Sequence, residues 1–186
     1  MTVLSLLTII WPISEIVLGI VKRGRSRSAT VRDRGSIVLL WSVIAVCVTA
    51  AGFLQSSESG RMEMDPGARG LLALALLVAG LTIRWGAILT LGRLFNTTVA
   101  IHGDHRIIRH GLYSRVRHPS YSGLLLAFAG LAVAFGNWFG LVVIMLPIGA
   151  ALAYRIRVEE NALHEAFGAE YSEYAVSTKR LIPWIY

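Results

Sequence analysis

Cysteine occurs once in these 186 residues, at Cys47. The chain therefore closes no internal disulfide and builds no thiolate metal cluster, and Cys47 reads as a small hydrophobe within an apolar run. Charge is also scarce. Asp, Glu, Lys and Arg make up 16% of the residues, too little to coat an ordinary soluble domain. Carboxylates are the scarcer sign, with 11 Asp and Glu against 18 Lys and Arg, giving a net charge of +7. Five prolines leave long helices uninterrupted. Ser114, Ser120 and Ser122 lack the G-x-S-x-G elbow of a serine nucleophile. The five histidines, His102, His105, His110, His118 and His164, follow no compact ligand spacing, so no metal is expected. Internal repeats and low-complexity tracts are missing as well.

Hydrophobic residues fill what remains. They form 55% of the chain, and the mean hydropathy is +0.61. Apolar segments run from Val3 to Val21, Ile37 to Leu54, Leu71 to Leu91 and Leu124 to Tyr154. About 20 apolar residues cross a bilayer as a helix, so each of the first three segments predicts one crossing. The fourth is too long for one and breaks at Gly136–Gly140, which predicts a hairpin of two short helices of about 15–17 residues. The expected fold is thus all-α, an integral membrane bundle of about five transmembrane helices. Residues 1–92 carry helices 1 to 3, and residues 93–186 carry a polar loop, the hairpin and the tail.

Basic residues set the orientation. They crowd the first loop (Lys22, Arg23, Arg25, Arg27, Arg32, Arg34), the segment after helix 3 (Arg93, Arg106, Arg109, Arg115, Arg117) and the tail (Lys179, Arg180). The loop Gln55–Gly67 has Arg61 alone, beside Glu58, Glu63 and Asp65. An N-terminus outside places every basic segment in the cytoplasm, facing anionic headgroups. Basic loops between membrane spans argue for that role over nucleic-acid binding. The first helix has no basic leader or small-residue cleavage site and reads as an anchor. Lys22–Gly35 reads as a flexible connector. Arg84, inside the third apolar segment beside Trp85, is expected to snorkel to the interface. In the tail, Leu163, Phe167, Tyr171 and Tyr174 recur at helical spacing opposite Glu165, Glu170 and Glu173, predicting an amphipathic cytoplasmic helix over the hairpin mouth.

The polar residues at the two ends of the hairpin are the functional clue. G-L-Y-S-R-V-R-H-P-S-Y-S-G begins at Gly111, and R-I-R-V-E-E ends at Glu160. A hairpin returns to the side it left, so Arg117, His118 and Tyr121 are expected to meet Arg155, Glu159 and Glu160. Pro119 suits a first helical turn, and Gly123 lets something bulky approach the backbone. Free N–H groups at that helix start, with Arg117 nearby, favour an anionic group. Adjacent carboxylates point about 100° apart on a helix, so Glu159 and Glu160 face different surroundings. One of them suits a ligand's ammonium group.

These residues resemble the isoprenylcysteine carboxyl methyltransferase family of membrane enzymes. The resemblance rests on His105, Gly111-Leu112-Tyr113, Arg117-His118-Pro119-Ser120-Tyr121-Ser122-Gly123, Arg155, Glu159-Glu160, Leu163, Phe167 through Tyr174, and Thr178 through Pro183. It covers roughly His105 to Pro183; helices 1 to 3 share only their hydrophobicity with the family. It implies S-adenosyl-L-methionine as cofactor, held by His105, Tyr113, Arg117, His118, Pro119, Tyr121, Gly123, Glu159 and Glu160. Arg155 and Glu159 are the candidate catalytic residues, with Arg155 expected to orient the acceptor carboxylate because a guanidinium matches a carboxylate bidentately. The acceptor would be lipophilic, lipid-modified or a small molecule, entering from the bilayer. A lipid acid, amine or phenol remains open as acceptor. The C-terminal region also resembles sterol C14-reductase-type proteins, so a membrane reductase using NADPH is the alternative, followed by a non-enzymatic membrane subunit.

Overall fold

A computed structural model describes residues 11–18, 30–33, 35–95, 99–101, 107–183 and 186. The chain there is mostly helical: α1 (11–18), α2 (Gly35–Leu54), α3 (Pro66–Leu91), α4 (Pro119–Phe135), α5 (Trp138–Phe167) and α6 (Ala169–Ser177). Three of these, α2, α3 and α5, are long and apolar enough to cross a membrane. The fourth apolar helix, α4, has 17 residues and is shorter. At about 1.5 Å per residue it measures roughly 25 Å.

Local chemistry fixes where the helices start and stop. The side chain of Asp65 accepts from the Ala68 N–H at 2.8 Å, with Pro66 in the first turn of α3. Pro119 opens α4, and Gly136 closes it in the left-handed region at φ 69°. Asn137 then caps α5 by accepting from the Phe139 and Gly140 N–H groups at 2.9 and 3.1 Å. Its amide also donates to the carbonyls of Leu54 and Ser59 at 3.0 and 2.9 Å. One buried side chain therefore ties the hairpin turn to the loop between α2 and α3, so both turns lie at one end of the bundle.

Helices α3 and α4 pack antiparallel with their backbones in contact. A Cβ on Gly80 would lie 2.5 Å from the Ala127 nitrogen, and one on Gly123 2.5 Å from the Arg84 nitrogen and the Gly80 carbonyl. Small residues permit this approach where lipid supplies no hydrophobic drive. The core below them is aliphatic, with Leu77, Ala127, Ile144, Ile148 and Leu152 fully buried. Large apolar side chains such as Phe53, Leu71, Leu89 and Leu146 point outward.

The structure departs from the sequence expectations at three places. Helix α5 runs 30 residues to Phe167, and the tail helix is the separate nine-residue α6 beyond Gly168 (φ 51°). At roughly 45 Å, α5 is longer than a hydrocarbon core of about 30 Å is thick, and its charged residues, Arg155 to Glu165, all lie in its C-terminal half. The end of the expected flexible connector pairs instead: β1 (Thr30–Asp33) lies antiparallel to β2 (Val99–Ile101), joining the two basic loops. Thr30, Val31, Val99 and Ile101 are β-branched, which suits a strand. Arg84 does not snorkel. It is 7% exposed and paired with Glu15 of α1.

Candidate functional site at the hairpin mouth

The tail and the entry to α4 lie side by side. The Arg117 and His118 N–H groups donate to the Lys179 and Arg180 carbonyls at 2.7 and 2.9 Å, and the Lys179 N–H returns to Arg115 at 3.2 Å. The Ser122 hydroxyl donates to the Leu181 carbonyl at 2.6 Å. Behind this seam the buried Tyr174 phenol donates to the Tyr113 carbonyl at 2.7 Å. Burial pushes the Tyr174 phenol up to about 12, so it stays a donor throughout the neutral range. Tyr113, also raised by burial, reaches the Ala87 carbonyl of α3 at 3.4 Å.

Glu160 is the hub of the cluster. It is 6% exposed. Its Oε1 accepts from Arg117 Nε at 2.9 Å and lies 3.4 Å from His118 Nε2. Its Oε2 accepts from Arg180 Nε at 2.9 Å and Nη2 at 2.8 Å. Arg117 Nη1 continues to the Ala175 carbonyl at 2.8 Å and to the Thr178 hydroxyl at 3.3 Å. A buried carboxylate is tolerable only when paired, and these charge-assisted bonds complete the pairing. The bond to Glu160 in turn raises the Arg180 guanidinium above its ordinary range.

Glu159 sits in different surroundings. Its side chain is 33% exposed, accepts from the Tyr121 hydroxyl at 2.9 Å and lies 3.9 Å from His118 Nδ1. The Tyr121 oxygen accepts in turn from Arg155 Nε at 2.8 Å, and Arg155 Nη1 donates to the Ser36 hydroxyl at 2.9 Å. A polar chain thus runs from α2 through α5 and α4 to a carboxylate at the surface. The His118 and Tyr121 rings stack with centroids 5.6 Å apart and planes 15° from parallel.

Arg117, His118, Tyr121, Arg155, Glu159 and Glu160 therefore form one continuous cluster. Pro119 is fully buried at the start of α4. Tyr113 stands behind the tail, with its carbonyl and hydroxyl engaged by Tyr174 and Ala87. The bulk that approaches Gly123 is the α3 backbone, so the glycine first serves helix packing. His105 lies outside the described residues. No group of His, Cys, Asp or Glu able to hold a metal ion occurs among the described residues.

Sequence reasoning passed over Ser36, Tyr171 and the Glu15–Arg84 pair. Glu15 and Arg84 did carry a signal: each is the lone charge of its apolar segment, and the signs are opposite. Tyr171 is 2% exposed, and its hydroxyl has no hydrogen-bond partner. Burial and the negative charge of Glu160 raise this phenol, which places its hydroxyl in the field of the cluster.

Fold and site together define a helical membrane protein with an ion-paired polar cluster at one end of a helical hairpin. The Isoprenylcysteine carboxyl methyltransferase (ICMT) family model matches residues 72–165, half of the chain, and the chain belongs to that family. The match begins at Leu72 and so takes in most of α3, well before the motif residues that start at His105. The chain is 36% identical over 116 residues to a probable protein-S-isoprenylcysteine O-methyltransferase of Oryza sativa subsp. japonica, covering 61% of each chain. It is 35% identical over 117 residues to the protein-S-isoprenylcysteine O-methyltransferase of Saccharomyces cerevisiae, covering 62% of this chain and 49% of that one. Among solved structures it resembles the eukaryotic intramembrane Ras methyltransferase ICMT, with a TM-score of 0.64 and 26% identity over 78% of this chain and 52% of the other. The chain thus spans about half to three-fifths of the length of these relatives. The apolar helices and the likeness to an intramembrane enzyme make it an integral membrane protein.

Proposed function

We propose that the protein is an S-adenosyl-L-methionine-dependent methyltransferase that modifies a lipophilic acceptor, with a carboxylate such as that of an isoprenylcysteine as the favoured class. The observation that carries this reading is the convergence of Arg117, His118 and Tyr121 with Arg155, Glu159 and Glu160 in a member of this family. The bound cofactor would supply an electrophilic methyl group on a sulfonium, for displacement by an acceptor oxygen. An acceptor carboxylate is already a nucleophile, so the site needs no strong base; positioning and exclusion of water are its tasks.

The residues present fit such a cofactor. An ammonium group needs a reachable carboxylate, and Glu159 is the partly exposed one while Glu160 is enclosed by two guanidiniums. A ribose or amino acid hydroxyl partner is offered by the unpaired Tyr171 phenol. His118 is the candidate partner of the carboxylate, since the Tyr121 and Ser122 N–H groups of the first turn already donate to the His118 carbonyl. In this reading Glu160 shapes the pocket and Glu159 binds the ligand. Arg155, buried with Nε on the Tyr121 hydroxyl and Nη1 on Ser36, orients the acceptor carboxylate through its charge and the Tyr121 hydroxyl it holds. Residues 93–186 supply the cofactor pocket, and residues 1–92 the bilayer-side wall past which the acceptor enters. The pocket faces the cytoplasm with the N-terminus outside, as the basic loops favour.

Two measurements test the proposal. Calorimetric titration in detergent should give binding of S-adenosylhomocysteine and none of NADPH; the reverse would transfer the protein to the reductase reading. Labelled methyl from S-adenosylmethionine should then pass to prenylcysteine analogues or lipid acids as base-labile ester. Base-stable label on lipid amines or phenols would overturn the carboxylate assignment.

A further inference from the structure

The Glu15–Arg84 pair lies outside the cluster described above, yet touches the segment that carries it. Both residues are buried, at 5% and 7% exposure, among apolar helices. Arg84 binds both carboxylate oxygens of Glu15 through Nε and Nη2, and the Trp11 indole N–H adds a bond to Glu15 at 3.3 Å. Its remaining nitrogen, Nη1, reaches the Ser120 carbonyl of α4 at 3.3 Å. Ser120 is the second residue of α4, between His118 and Tyr121 in the chain. Because the Gly80–Gly123 contact presses α3 against α4, Arg84 has little freedom to reach elsewhere.

Stability is a poor reason for such a pair. Desolvating two charges costs several kcal/mol, and replacing a buried pair by apolar side chains of similar volume is often neutral or stabilising. An ionisable pair inside a membrane helix bundle therefore suggests a functional task. Here the bidentate carboxylate fixes the guanidinium plane, and that plane fixes a carbonyl in the first turn of α4. That turn in turn aims the stacked His118 and Tyr121 rings at Glu159 and Glu160.

We propose that Glu15 and Arg84 are positioning residues that hold the first turn of α4 in the orientation needed for cofactor binding, without touching the cofactor. This inference rests on the methyltransferase reading of the cluster. In the wild-type protein, titration with S-adenosylhomocysteine comes first: absent binding there sinks the methyltransferase reading itself, before any variant is made. Given binding, the paired variant Glu15→Leu/Arg84→Met should keep its unfolding temperature within a few degrees of wild type, yet bind S-adenosylhomocysteine about tenfold more weakly. Because this variant replaces the whole pair, a purely structural pair would leave the affinity unchanged. Wild-type affinity in a stable paired variant overturns the proposal. Should the paired variant fail to fold, Arg84→Lys decides. It keeps the buried charges but loses the fork that joins Glu15 to Ser120. It should also weaken binding severalfold, and raise KM for S-adenosylmethionine more than it lowers kcat. Unchanged affinity in Arg84→Lys overturns the proposal equally.

Discussion

The two adjacent carboxylates should separate cleanly when each is removed. Glu160→Ala strips the shared partner from Arg117, whose side chain is 9% exposed, and from Arg180, whose side chain is 36% exposed. Orphaning a buried charge costs about 3–5 kcal/mol. The Arg180 bond is partly screened by water and contributes at most about 1 kcal/mol of that. A loss of roughly 4 kcal/mol follows for the variant, most of it from leaving Arg117 without its carboxylate. At about 2–4 °C per kcal/mol for a chain of this size, the unfolding midpoint should fall by roughly 8–16 °C. Glu159→Ala removes one accepted bond, from Tyr121, at a partly exposed carboxylate. That should cost about 1 kcal/mol and move the midpoint by only a few degrees.

Ligand binding should show the opposite ranking in proteins that remain folded. A bond between a charged group and a ligand ammonium is worth about 1.5–3 kcal/mol, so Glu159→Ala should weaken S-adenosylhomocysteine by roughly 10- to 100-fold. Thermal unfolding in detergent, with and without ligand, reads both quantities in one experiment. A double-mutant cycle adds a check: Glu160→Ala should couple strongly to Arg117→Ala and weakly to Arg180→Ala. The reasoning fails if Glu160→Ala unfolds at the wild-type midpoint, or if Glu159→Ala binds ligand as tightly as wild type.

Five further outcomes follow from the same geometry. Gly123→Ala must push apart two backbones, since its Cβ would sit 2.5 Å from Arg84 and Gly80 atoms; it should destabilise by about 3 kcal/mol or prevent accumulation in membranes. Gly70→Ala, with open space around its Cβ on α3, should be neutral or stabilise by about 0.5–1 kcal/mol in the same unfolding assay. Asn137→Ala removes the cap of α5 and the donor to two loop carbonyls, and should lower stability by about 2 kcal/mol. For Tyr174, burial raises the phenol from 10.0 to about 12 in the folded protein. Its contribution should be constant below pH 10 and vanish as pH rises through 12, so wild type and Tyr174→Phe should converge in unfolding midpoint over that window. Arg155→Ala should abolish methyl transfer while S-adenosylhomocysteine still binds; lost binding with intact acceptor binding would reverse its role.

How far the site could be read in advance depended on the kind of constraint each residue obeys. Pro119, Gly136 and Asn137 act through local backbone chemistry, and the hairpin they bound was legible from the Gly-Asn-Trp-Phe-Gly break alone. The meeting of Arg117, His118 and Tyr121 with Arg155, Glu159 and Glu160 followed from that hairpin, because a returning helix brings its ends together. That Glu159 and Glu160 face different surroundings was legible from their angle on the helix, but which of the two is buried was not. That depends on Arg180, which reaches back from a tail whose path is set by backbone bonds at Arg117 and His118 rather than by hydrophobic period. Gly123 was legible only in part, for a related reason. A glycine announces that something comes close, but only the packing of α3 says what. Arg84 failed through a rule applied one helix at a time. Snorkelling is the cheapest fate for a lone arginine in a lone helix, and it ceases to be cheapest once another span offers a carboxylate at the same depth. Glu15 offers one. Opposite charges that each stand alone in separate apolar segments should therefore be weighed as a pair before either is sent to the interface.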